Sequence, residues 1–204
     1  MNTVIVPWFH GAAVAAIVWW FLLRLSAWQR GPQIDLRVTI VAGVAAAALC
    51  LAPVGGVPWM RWVFGIWTNP SLPLLGWVAA GIARQGFGRA LISETERRSL
   101  ALFGAVAGTG LYLHSFLPGA PDLYAFGWDG RVALGGLGLL AVGYFGRGSR
   151  LGIFFLLALI AFGGGALEST NAWDYAVDPV FWFASLAVLV KQAVRRFGAR
   201  RSVA

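Results

Sequence analysis

The chain has 204 residues, of which 59% are hydrophobic and 12% charged, with a formal net charge of +8. A soluble domain carries about a quarter charged residues, so this composition cannot cover a water-facing surface and points to lipid as the solvent. The basic excess does not indicate nucleic acid, because the basic residues stand at the ends of apolar runs and not along one face.

Seven apolar segments follow in order, at about 4–23, 38–54, 62–83, 99–117, 132–146, 151–167 and 180–194. The first, VIVPWFHGAAVAAIVWWFLL, supplies about 20 apolar residues, enough to cross ~30 Å of hydrocarbon. It lacks the basic start and small-residue cleavage site of a signal peptide, and its first positive charge is Arg24, so it reads as a retained helix. His10 stands within it, behind Trp8 and Phe9. In the second segment Cys50, the single cysteine, lies among apolar residues and reads as a small hydrophobe, so neither an intrachain disulfide nor a cysteine-rich metal site can form.

The third segment is interrupted by IWTNPSLPLL at 66–75. Pro70 and Pro73 cannot donate backbone hydrogen bonds, and their rings clash with the preceding turn. One geometry is a broken crossing helix whose carbonyls near Gly65 and Asn69 turn toward protein or a watery cavity, as in many transporters. The other is a helix over PWMRWVFGIW lying on the surface, followed by a short tilted span. Both place Trp59, Trp62 and Trp67 at the outer interface.

The fourth segment begins with SETERRS, in which Ser93 as N-cap and Glu96 three residues on form a capping box. Its GAVAG sets Gly104 and Gly108 four apart, a small-residue stripe for close helix packing inside the bundle or, less economically, for a homodimer seam. Beyond it, YLHSFLPGAPDLYAFGWDG carries His114, Asp122, Tyr124 and Asp129. With two histidines in all, no HExxH and no three-histidine zinc site exists. Ser115 beside His114 makes no dyad, since adjacent helical residues point about 100° apart. GxSxG and the Gly-rich phosphate loop with Lys are absent, and no metal or cofactor is expected. The glycines at 135–138 and 163–165 read as packing.

Between the last two segments stands ESTNAWDYAVDP, 168–179. Asn171, Asp174 and Asp178 are spaced N-x-x-D-x-x-x-D, which on a helix would put all three on one face, suited to a hard divalent cation or a magnesium-held diphosphate. Over these eight residues the spacing resembles the D-x-x-D-x-x-x-D element of intramembrane aromatic prenyltransferases. Asn171 replaces an aspartate of that element, the family's second Asp-rich motif is lacking, and the chain is not assigned to it. Asp178-Pro179 suits a helix start, with Asp as N-cap and Pro at the first helical position. Trp173 and Tyr175 read as interface anchors. Glu168 and Asp174 have no evident capping role. An outer polar site is therefore expected around Glu168, Asn171 and Asp174 with Asp122 or Asp129. Its binding residues would include Asn69, Tyr124, Trp173 and Tyr175, and Glu168, Asp174 or His114 would serve as acid or base if the site is catalytic.

Of the 16 Lys and Arg, 14 fall on one side of the alternating segments and 2, Arg61 and Arg131, on the other, which makes the rich side cytoplasmic. Five carboxylates, Asp122, Asp129, Glu168, Asp174 and Asp178, share the other side. The expected protein is all-α, a single integral membrane domain over 1–204 with a basic cytoplasmic tail at 195–204. It has about seven spans, or six if 59–73 lies flat or 1–23 is atypical, with the N-terminus outside and a location in a bacterial inner membrane. The first functional reading is a non-enzymatic component of cell-envelope assembly that binds a lipid, a lipid-linked sugar or a partner protein. The second is an intramembrane enzyme acting on a lipid or lipid-linked substrate at the outer leaflet, and the third a small ion-coupled carrier. Membrane lipids, and a protein within the membrane, are the expected partners.

Overall fold

The computed structural model describes residues 5–31, 34–113, 117 and 119–201, leaving aside the side chains of residues 5, 30 and 197–201. The described chain is all-helical apart from one small ladder. In order come α1 (Ile5–Arg30), α2 (Leu36–Leu51), the strands β1 (Pro53–Val54) and β2 (Val57–Pro58), α3 (Trp59–Ile66), α4 (Leu72–Phe87) and α5 (Glu94–Tyr112). There follow α6 (Phe126–Asp129), α7 (Arg131–Phe145), α8 (Leu151–Gly163), a 3-10 turn at Ala172–Tyr175, and α9 (Pro179–Arg201).

Local chemistry sets these boundaries. Asp35 caps α2 through the Arg37 N–H. Ser93 and Glu96 form the expected capping box, each side chain accepting the other's backbone N–H. Gly88, at φ 66°, ends α4 in the left-handed conformation that a Cβ would resist. Gly55 and Gly56, both at positive φ, make the two-residue turn joining β1 to β2, whose antiparallel pairing sets Val54 opposite Val57.

Helices pack in pairs, α1 on α2 and α4, α5 on α9, and α7 on α8, with α4 also meeting α8. Leu23, Trp77, Leu100, Leu137, Leu151, Phe155 and Phe181 fill the common core. Glycines allow the closest approaches: a Cβ at Gly104 would strike Ser185 and Phe181, and one at Gly108 would strike Trp182. The GAVAG stripe is thus internal packing of α5 on α9.

Long-range bonds fix the directions of the helices. Ser71 before α4 meets Asp178 before α9, Thr39 early in α2 meets Gly86 late in α4, and Glu96 early in α5 meets Ser149 and Arg150 before α8. The seven longer helices therefore alternate in direction. The loops rich in Lys and Arg gather at one end, and those bearing the five carboxylates at the other.

By length and composition alone, α1 is the one helix among the described residues able to cross a membrane: Val6–Gln29 spans 24 residues at mean hydropathy 1.6. Leu36–Leu51, Arg131–Phe145 and Leu151–Gly163 are apolar but shorter. Several helices stop before their apolar runs do. Pro53 and the glycine turn end α2, the turn at 146–149 ends α7, and Gly164 with Gly165 (φ 61°) ends α8. The interrupted third segment becomes α3, an extended stretch at 67–71, and α4 with Pro73 in its first turn.

Candidate functional site

Three loops meet at the acidic end: 67–71, 119–130 and 164–178. The last is ordered by its own side chains. Asn171 is fully buried; its Oδ1 accepts from the Trp173 N–H at 2.9 Å, capping the 3-10 turn, and its Nδ2 donates to the Tyr124 carbonyl at 3.0 Å. The Tyr175 hydroxyl accepts from the Leu167 N–H and donates to the Ser169 carbonyl, each at 3.2 Å, with its ring edge-on to Phe162. The Trp173 indole donates to the Leu123 carbonyl at 3.2 Å. Gly127 is required where the two loops touch, because a Cβ there would collide with the Asn171 amide and the Trp173 indole.

Asp178 joins two helix starts. Its Oδ1 accepts from the N–H groups of Val180 (2.8 Å) and Phe181 (3.0 Å), and its Oδ2 from the Ser71 N–H (2.9 Å). Burial pushes its carboxyl above the usual range, and these donors pull it back. The N-cap at Asp178 with Pro179 opening α9 is as the sequence suggests. Asp174, half-buried, accepts from the Tyr124 hydroxyl at 2.7 Å. Burial raises its carboxyl too, partly offset by hydrogen bonds from Ser169 and Tyr124. The Tyr124 phenol is itself held protonated by burial and by the neighbouring Asp174.

The break at 67–71 is filled by protein. The Trp67 carbonyl, lying where the helical ladder stops, accepts from His10 Nε2 at 2.8 Å. Asn69 Oδ1 accepts from the Ser169 N–H at 3.1 Å, and Asn69 Nδ2 donates to the Thr68 hydroxyl at 2.9 Å. His10 also sits edge-on to Phe64, with ring centroids 4.6 Å apart.

Of the residues singled out in the sequence, Asn69, Tyr124, Asn171, Trp173, Asp174 and Tyr175 come together in one network. Asp122 stands at its rim, where Oδ1 accepts from the N–H groups of Tyr124 (2.9 Å) and Ala125 (3.2 Å) and shapes the loop. Asp129 is exposed, 4.0 Å from Arg131. Glu168 is exposed and makes no hydrogen bond or ion pair among the described residues. His114 lies outside the described residues.

The shared helical face of Asn171, Asp174 and Asp178 does not form. Side-chain caps at Asn171 and Asp178 compete with helix continuation, and Pro179 can only begin a helix. The stretch becomes a four-residue 3-10 turn, a bend and a new helix, and the three residues take three different roles. Among the described residues no group of three His, Cys, Asp or Glu could hold a metal ion.

Several residues of the network went unremarked in the sequence. Ser71, just before Leu72 and Pro73, has the N-cap position as a readable signal. Ser169 and the Tyr112 hydroxyl, which donates to the Val177 carbonyl at 3.1 Å, had none, since their partners lie 100 and 65 residues away. Chemically, Asn171, Tyr175 and Asp178 are committed to backbone groups, and the Asp174–Tyr124 pair alone joins a half-buried carboxyl to a phenol. A separate cavity of about 560 Å³ opens between α1 and α3, walled by Trp8, His10, Met60, Arg61 and Phe64.

No family model matches the chain, and no curated protein or solved structure matches it to a significant degree.

Proposed function

We propose that the chain is a multi-pass membrane protein of about seven spans, cationic end in the cytoplasm, in a bacterial inner membrane. It acts there as a non-enzymatic component that holds a lipid, a lipid-linked sugar or a partner protein during cell-envelope assembly. The observation that carries this reading is the apolar outer surface of the helices. Val41, Val106, Leu139, Val142, Ile160 and Val190, spread over five helices, are each at least 60% exposed. Water would penalise so much exposed apolar surface, and lipid would not. The 14-to-2 division of basic residues supports the orientation. On this reading the 164–178 loop is a clasp that closes the outer end. The cavity beside α3, with aromatic and thioether walls and Arg61, suits a lipid with an anionic head.

The topology is tested with single cysteines in a Cys50→Ser background. Thr170→Cys should react with an impermeant maleimide on intact cells and Arg89→Cys only after lysis; labelling from the same side would overturn the arrangement. The role is tested by native mass spectrometry of protein released gently from its membranes. A lipid or protein at fixed stoichiometry, retained in Asp174→Asn, supports a binding component. One observation favours the enzyme reading, namely the half-buried Asp174 beside Tyr124, positioned for acid–base work near the surface. Accumulation of an unprocessed lipid in Asp174→Asn, with the fold intact, would put that reading first.

A further inference from the structure

At the cationic end a cleft of about 190 Å³ lies between α1, α4, α5 and α9. Four cations line it from three helices: Arg24 of α1, Arg97 of α5, and Lys191 and Arg195 of α9. The one carboxylate on its wall, Glu94, is shared by Arg97 at 3.4 Å and Arg84 at 3.8 Å. Arg24, Lys191 and Arg195 make no ion pair among the described residues, and the Arg24 guanidinium stands over the Trp20 ring, 5.3 Å from its centroid. Two of these cations are therefore held in place, Arg97 by Glu94 and Arg24 by Trp20. Lys191 and Arg195 are one helical turn apart and address the same space. Converging like charges repel unless an anion stands among them. The cleft also lies on the seam where α1 and α4 meet the α5–α9 pair, so a bound anion would tie the two together.

We infer that this cleft is a phosphate-binding site, in which Arg24, Arg97, Lys191 and Arg195 receive the phosphate of an anionic lipid headgroup or a free phosphate. Arginine forks match phosphate oxygens in geometry, and basic pockets between helices on the cytoplasmic side are a recurrent solution for lipid headgroups. The volume admits a headgroup and excludes acyl chains, which would run down the apolar helix faces outside. The lipid source rests on the multi-pass reading above, whereas the free-phosphate source does not, and membrane integration is scored separately by carbonate extraction.

The full-length protein in detergent is titrated at fixed ionic strength with inorganic phosphate, and with mixed micelles of phosphatidylglycerol or of phosphatidylcholine. Thermal unfolding and native mass spectrometry are the readouts. Phosphatidylglycerol, and not phosphatidylcholine, should raise the unfolding midpoint and remain bound in the spectrometer. The exposed double variant Lys191→Gln/Arg195→Gln should weaken this at least about tenfold, and Arg24→Gln should weaken it independently. Arg147→Gln, at the same end but outside the cleft, should leave it unchanged. Stabilisation by inorganic phosphate, lost in the same variants, would assign the site to a free phosphate; stabilisation by phosphatidylglycerol alone would assign it to a headgroup. Equal losses in Arg147→Gln and the cleft variants would reduce the effect to diffuse surface charge, and no response to either probe would remove the site. Both outcomes overturn the inference.

Discussion

Asp178 places three acceptor contacts on backbone N–H groups of two different helix starts. Asp178→Ala leaves the N–H groups of Ser71, Val180 and Phe181 without their partner in a buried place. The expected loss is about 2–4 kcal/mol, larger than for Asp178→Asn, which keeps one acceptor oxygen; thermal unfolding in detergent measures both. Asp174 has a distinct pH signature. Its folded-state affinity for a proton is raised by burial, so its contribution to folding is full below the ordinary value of 3.8 and is lost as pH rises through the raised value. Asp174→Asn should flatten that part of the stability–pH curve and leave the protein folded at neutral pH. Glu96 behaves oppositely. Burial alone would raise it, yet hydrogen bonds from Ser93, Ser149 and the Arg150 N–H outweigh burial and hold it down to about 2. Its contribution is present above the ordinary 4.5 and lost as pH falls toward 2, so Glu96→Gln should lessen the loss of stability between those values when unfolding is followed against pH.

Among the helices, α5 and α9 show how a sequence spacing becomes an interface. Gly104 and Gly108 let Phe181, Ser185 and Trp182 reach the α5 backbone, which a side chain would prevent. Gly104→Leu should therefore cost at least about 1–3 kcal/mol through overpacking. Gly110→Ala should instead stabilise by up to about 1 kcal/mol, since a Cβ there has only a distant contact with Leu123 and alanine favours the helix. Comparing the two unfolding midpoints separates packing from glycine's general effect on helices. The third apolar segment shows the opposite relation, because proline chemistry announces the break but not its contents. The carbonyl at the break meets His10, and Asn69 props the 164–178 loop, so the break faces protein, one of the two surroundings its prolines allowed.

For the whole molecule, the lengths of α7 (15 residues) and α8 (13 residues) carry a physical consequence. At 1.5 Å per residue they reach about 20–22 Å, well short of ~30 Å of hydrocarbon. As spans they would require the bilayer to thin around them, or their polar flanks to snorkel. The reconstituted protein should accordingly unfold at a higher temperature in lipids with 14-carbon chains than in lipids with 20-carbon chains. The contacts between Asp178 and Ser71, Asn69 and Ser169, and Asp174 and Tyr124 bind successive loops together at the acidic end, so disrupting them should loosen that end before the core.

Composition, hydropathy and local caps depend on a residue and its near neighbours, and these were legible from the sequence alone. They include the helical class, the segregation of basic and acidic loops, the Ser93–Glu96 capping box and the start of α9 at Asp178-Pro179. The partners of Asn69, His10, Tyr112 and Asp174 lie 50 to 100 residues away, and no periodicity encodes such distances. The ESTNAWDYAVDP stretch illustrates the limit. Its spacing suited one helical face, but which backbone N–H groups its side chains would meet depended on loops from elsewhere in the chain, and the cost of burying unpaired polar groups settled the matter. Composition and local pattern could thus specify the helices. Only tertiary structure could decide that the polar loop is spent on closing the bundle and that four cations from three helices converge on one cleft, because both are contacts between distant segments.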